Sequence, residues 1–200
     1  MKEQTNRILL SITLTLATII VSTLTSCVSR PSVEPISRVL YDKGIKNEAQ
    51  LTKFFMDNNP VANKKQVKRL AKLYIQEGFA EGINSDCAFV QMCLETGFLK
   101  FGGLVTPEMH NYCGLGAMDA EHPGEKFKTE QLGVRAHIQH LHAYATTADV
   151  TLNFTCIDNR YKYVRPKGKA PTIFDLAGTW AMDKNYGEKL DALLTRLEKY

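Results

Sequence analysis

Glu95 is the residue whose neighbours say most about its own chemistry. A helix through it places Ala88, Gln91 and Met92 one and two turns earlier on the same side, a largely apolar stripe that must face other protein. A carboxyl there is partly desolvated. It also lies in the last turn before Gly97, where the free carbonyls of the helix end disfavour a second negative charge. Both effects raise its pKa, which suits it to hold a proton near neutrality and to release it as a general acid. In the glycosidase arrangement such an acid stands beside a cleft and protonates a leaving oxygen. The plain alternative is a glutamate that hydrogen-bonds a nearby backbone group or tyrosine.

Other clusters point less far. His137 and His140 share a helix face, but His142 falls about 140° round from His137 and no His-Glu-x-x-His pattern accompanies them. They are expected at the surface or an interface, and no metal is assigned. Asp57-Asn58-Asn59 lacks the spaced acidic loop of a calcium site and reads as a turn. Cys87, Cys93, Cys113 and Cys156 would permit two disulfides in three pairings. Cys87 and Cys93 lie nearly two turns apart on one helix, too far for each other, and buried thiols are the simpler expectation.

The elements that must position these residues follow from periodicity. Asn47 can cap a helix over 48–56, and Val67, Leu70, Ala71, Tyr74 and Ile75 form an apolar face over 65–79. Ser85 and Asp86 offer caps for a third helix, 86–96, stopped by Gly97. Residues 98–126 hold too many Gly and Pro for a helix and should be loop with a small β-hairpin. Thr129 precedes a strong helix over 130–145. A second loop with weak strand or 3₁₀ character near 161–164 leads to helices over 173–180 and 186–199. The fold class is therefore mainly α with a loop-rich middle. Hydrophobic residues at 44% and charged residues at 23% are ordinary for a globular chain and exclude a disordered or multi-span protein. The net charge of +4 is spread without like-charge runs, so nucleic acid is not an expected partner.

The first 26 residues read as an export signal. Lys2 and Arg7 precede an apolar stretch, 8–21, which Ser and Thr interrupt so that it makes a weak permanent span but an adequate signal core; an uncleaved N-terminal anchor is the alternative. Leu24-Thr25-Ser26-Cys27 resembles the lipobox of bacterial lipoproteins, which implies cleavage before Cys27, acylation of that residue and a membrane anchor facing the periplasm or cell envelope. Residues 27–46 are then the lipidated Cys and a tether, and 47–200 the domain. Loss of Lys2, Glu3 and Arg7 would leave a net charge of +3.

Three blocks in order resemble glycoside hydrolase family 73, the bacterial endo-β-N-acetylglucosaminidases of the lysozyme-like superfamily. They are Gln91-Met92-Cys93-Leu94-Glu95-Thr96-Gly97, Asn111-Tyr112-Cys113-Gly114-Leu115-Gly116, and the run from Trp180 to Leu190. The resemblance, from about Leu70 to the C-terminus, implies a lysozyme-like helical domain that cleaves the β-1,4 bond between N-acetylglucosamine and N-acetylmuramic acid in peptidoglycan, without a cofactor. Glu95 maps onto the family's general acid. Asn111, Tyr112 and Leu115 fall in its cleft-lining turn, and Tyr186 on a tyrosine that approaches the reacting sugar. Cys113 and His110 depart from the family's usual aromatic and Asn. Trp180 and Phe98 offer rings for stacking on sugar. The second carboxylate is sought in the compressed segment 117–126, among Asp119, Glu121 and Glu125, with Glu121 preferred as base for water. If the substrate's acetamide is the nucleophile, Glu121 only orients it. Two other readings stay open: a catalytically silent glycan-binding lipoprotein, and a muramidase or lytic transglycosylase on the same fold.

Overall fold

A computed structural model describes residues 34–200. The residues expected to be an export signal, Cys27 and the start of the expected tether lie outside the described residues. Helix α1 (Glu48–Asn58) begins at Asn47, whose side chain accepts the Gln50 amide while the Gln50 side chain accepts the Asn47 amide. Helix α2 (Lys64–Glu81) is capped by Asn63 and ends at Gly82, whose φ of +69° is a conformation glycine adopts without strain. Helix α3 (Ser85–Glu95) is buried from Ser85 to Cys93 and packs against α1, α2, α4 (Glu130–Ala145) and α5 (Tyr186–Leu197). Three 3₁₀ turns, Pro107–Met109, Tyr161–Tyr163 and Phe174–Leu176, punctuate the loops. This is the mainly helical, lysozyme-like architecture expected from the sequence, with a loop-rich middle. Among the described residues no helix is long and apolar enough to cross a membrane.

Several local expectations are corrected. The cap of α3 is Asn84, whose Oδ1 accepts the Asp86 and Cys87 amides while its Nδ2 donates to the Ser37 and Val39 carbonyls. Asp86 is thereby free to accept the amides of Ile45 and Lys46. Residues 36–46, read as tether, are consequently part of the domain. Ile36 and Leu40 are buried, Val39 bridges Thr172, and Arg38 pairs with Asp191 and Glu198 on and just beyond α5. The hairpin is reduced to one isolated bridge, Ala117 with Pro123. The helix expected over 173–180 is a single 3₁₀ turn, because Thr179 Oγ1 caps back onto the Asp175 carbonyl and Gly178 turns at a φ of +75°. That bend carries Trp180 back toward α3.

Candidate active site

Glu95 closes α3 at the floor of a cleft of about 230 Å³ lined also by Gly97, Phe101, Val105, Asn111 and Gly114. It is the one carboxylate among those lining residues. Its Oε1 accepts two hydrogen bonds, one from the Tyr186 hydroxyl and one from Trp180 Nε1 at 3.2 Å. Its Oε2 is directed at Gly114, where a Cβ would come to 3.8 Å. Glu95 is open to solvent along one edge, yet protein surrounds the carboxyl on its other sides. Burial raises its pKa above the ordinary glutamate value, while the Tyr186 and Trp180 hydrogen bonds pull it down; water at the open edge moderates the desolvation. A protonated carboxyl can keep both hydrogen bonds only if its proton sits on the other oxygen. The acid proton therefore belongs on Oε2, facing the cleft.

Tyr186 opens α5 and is buried, and its oxygen accepts from Gln91 Nε2 at 2.9 Å. Desolvation and the adjacent Glu95 hold its phenol well above the usual tyrosine range, so it stays a donor. Trp180 is fixed by the rings of His140, Tyr144 and His137, with centroids at 5.2, 5.3 and 5.8 Å. Packed on these sides, it meets Glu95 as a hydrogen-bond donor and is not among the residues that line the cleft. Phe98 packs its ring on Phe54 and Phe55 in the core, away from the lining.

The Asn turn is placed differently from the sequence reading. Asn111 is buried and clasps the loop: its Nδ2 donates to the Leu115 and Glu125 carbonyls, and its Oδ1 accepts the Leu115 amide at 2.9 Å. Tyr112 points into the core, where its hydroxyl lacks a partner, and Leu115 packs beneath the cleft with Cys113 and Ala136. Neither side chain lines the cleft, because the clasp turns them inward. Glu121 is exposed at the tip of the turn formed by bonds between Met118, Asp119 and His122, and lies outside the lining residues that hold Glu95. Asp119 is engaged by His122, and the Glu125 backbone is held against the clasp.

The three histidines are buried rather than superficial, and each has its own partners. His137 meets Tyr74 and Gln91, His140 pairs with Asp158 at 2.7 Å, and His142 meets Tyr161 and Thr146. Cys87, Cys93 and Cys113 are buried free thiols, whereas Cys156 is exposed. Sequence reasoning missed Phe101 and Val105, whose approach to Glu95 depends on the loop, and it missed the part played by Gln91. The i, i+4 spacing of Gln91 and Glu95 was the available signal for the latter.

The family described as glucosaminidase, mannosyl-glycoprotein endo-beta-N-acetylglucosaminidase, matches residues 71–199, which include α3, the Asn turn and the Tyr186 helix. An uncharacterized protein of Borreliella burgdorferi is 42% identical over 161 residues, covering 80% of this chain and 78% of that protein. No solved structure matches the chain. The matched span contains the carboxyl at the cleft floor together with both groups that orient it, and the chain belongs to the glucosaminidase family, glycoside hydrolase family 73.

Proposed function

We propose that this protein is an exported, lipid-anchored peptidoglycan hydrolase, an endo-β-N-acetylglucosaminidase that cleaves the β-1,4 bond between N-acetylglucosamine and N-acetylmuramic acid. The observation that carries the reading is the Glu95 carboxyl, with Oε1 held by Tyr186 and Trp180 and Oε2 turned to the cleft. With the glycan in the cleft, Oε2–H protonates the leaving glycosidic oxygen as the bond breaks. The hydrogen bonds from Tyr186 and Trp180 then stabilise the carboxylate that is left. Glu121 is assigned the second part, activating water or orienting the acetamide; Ala117, on the same short turn, lines the cleft. Glu121→Gln should then lower turnover, whereas undiminished turnover transfers that part to the acetamide.

Full-length protein and its Glu95→Gln variant, incubated with purified peptidoglycan, test the reading by mass spectrometry of the released ends. New reducing N-acetylglucosamine ends from the wild type alone are expected. Anhydro-muramyl ends would make it a lytic transglycosylase and reducing muramic acid ends a muramidase, while binding without cleavage would make it a glycan-binding lipoprotein. The anchor is tested separately: Cys27→Ala should move the protein out of the membrane fraction, and an unchanged distribution would remove the lipoprotein assignment.

A further inference from the structure

Behind Glu95 a line of buried polar side chains runs across four helices, and its direction can be worked out from donors and acceptors. Tyr74 on α2 meets His137 Nδ1 on α4 at 2.9 Å, and His137 Nε2 meets Gln91 Oε1 on α3 at 3.0 Å. Gln91 Nε2 donates to the Tyr186 oxygen, and the Tyr186 hydroxyl donates to Glu95. Tyr74 and His137 are fully buried and Gln91 is 1% exposed, so water does not substitute for a missing partner.

A tyrosine hydroxyl has one proton, and Gln91 decides where the proton of Tyr186 goes. With the amide nitrogen of Gln91 toward Tyr186, the phenol oxygen is used as acceptor and its proton is left for Glu95. With the amide reversed, the phenol would donate to Gln91, and Glu95 would face a lone pair. The reversed amide requires a bare His137 Nε2, hence a proton on Nδ1, and that proton would leave the Tyr74 hydroxyl hydrogen buried without an acceptor. An unmatched buried donor is costly, so a single arrangement satisfies all five groups.

We propose that His137 is a positioning residue for the acid: its Nε2–H tautomer, selected by Tyr74, fixes the Gln91 amide and so commits the Tyr186 proton to Glu95. The groups facing the ring are Tyr74 from α2, Gln91 from α3 and the Trp180 ring, with His140 next along α4. Burial, reinforced by His140, lowers the His137 pKa to about 3, so the imidazole is neutral and the tautomer well defined across the working pH range.

The inference rests on Glu95 being the acid of the proposed hydrolase. Its test uses the full-length His137→Phe and Tyr74→Phe variants, each also combined with Tyr186→Phe. Either single variant should lower kcat about three- to tenfold with KM unchanged, the size of one oriented hydrogen bond. The basic limb of the kcat profile should move to higher pH, because the carboxylate loses a donor. In the Tyr186→Phe background neither substitution should lower kcat further. Wild-type kcat and pH limb with only a lower Tm, or an additive loss in the Tyr186→Phe background, would overturn the proposal. If His137→Phe does not fold, Tyr74→Phe, which removes one hydroxyl and keeps the ring and both helices, decides alone. Carbon NMR titration of Glu95 in the resting protein should show the same upward move without turnover. If the wild type releases no ends at all, the hydrolase reading fails, while this titration still decides whether His137 acts on Glu95.

Discussion

With both donors committed to Oε1, the Glu95 proton is confined to Oε2, and its pKa is a balance between burial and hydrogen bonding. Glu95→Gln should reduce kcat about 10²- to 10⁴-fold, the usual contribution of a general acid. The same residue gives a stability signature. Its folded pKa is raised, so the folded state binds the proton more readily than the unfolded chain. Stability from this group is present at low pH and is lost as pH rises through the raised value. Glutamine keeps an oxygen for Tyr186 and Trp180 but cannot ionise. The variant and the wild type should therefore melt together near about pH 4, with the variant melting higher at about pH 8. Thermal melts across that range check this, and a gap independent of pH would argue that the carboxyl is not destabilised by burial.

Short helices and tight turns hold the carboxyl in place. After Glu95 the chain turns left-handed through Gly97, Phe98 and Leu99, with φ values of +57°, +56° and +60°. Each non-glycine residue in that region costs about 1–2 kcal/mol. Offsetting contacts are visible: Thr96 Oγ1 accepts the Leu99 amide, Asn59 Nδ2 donates to the Phe98 carbonyl, and the Phe98 ring packs on Phe54 and Phe55. On the opposite wall, α4 approaches the Asn turn so closely at Gly133 that a Cβ there would overlap the His110 carbonyl oxygen. Backbone cannot rotate away as a side chain can. Gly133→Ala should cost about 1–3 kcal/mol and displace the Asn111 clasp. Substrate binding should weaken more than turnover falls, as kinetics with soluble glycan fragments would show. An unchanged Tm and KM would mean that α4 can shift without disturbing the turn.

At the scale of the whole molecule, the segment before α1 closes the domain rather than hanging from it. Ile36 and Leu40 are fully buried, and Arg38 joins Asp191 and Glu198 across more than 150 residues of sequence. Burial of those two apolar side chains contributes about 3–6 kcal/mol. A chain shortened to start at residue 47 should lose about that much stability, whereas one starting at residue 34 should melt like the longer protein. Urea titration of the two separates the outcomes. Equal midpoints would restore the tether to residue 46.

Some of this was legible along the chain and some was not. Helical periodicity predicts the four principal helices and α1, and the stripe of Ala88, Gln91 and Met92 marks Glu95 as a carboxyl facing protein, because both are repeats within a few turns. The lining of the cleft was less accessible. Tyr112 and Leu115 sit in a loop whose side-chain directions are set by the Asn111 clasp, and a turn of that kind has no periodicity to read. The buried histidines depend on which helix faces α4. Spacing along one helix predicts a shared side but not the partner across it. The residues that orient Glu95 lie 85 and 91 positions away, at Trp180 and Tyr186. Local sequence determined the carboxyl that faces protein and the helix that carries it; only the packing of α3 against α4, α5 and the Gly178 bend decided which donors hold its Oε1, because those hydrogen bonds exist only when distant segments meet.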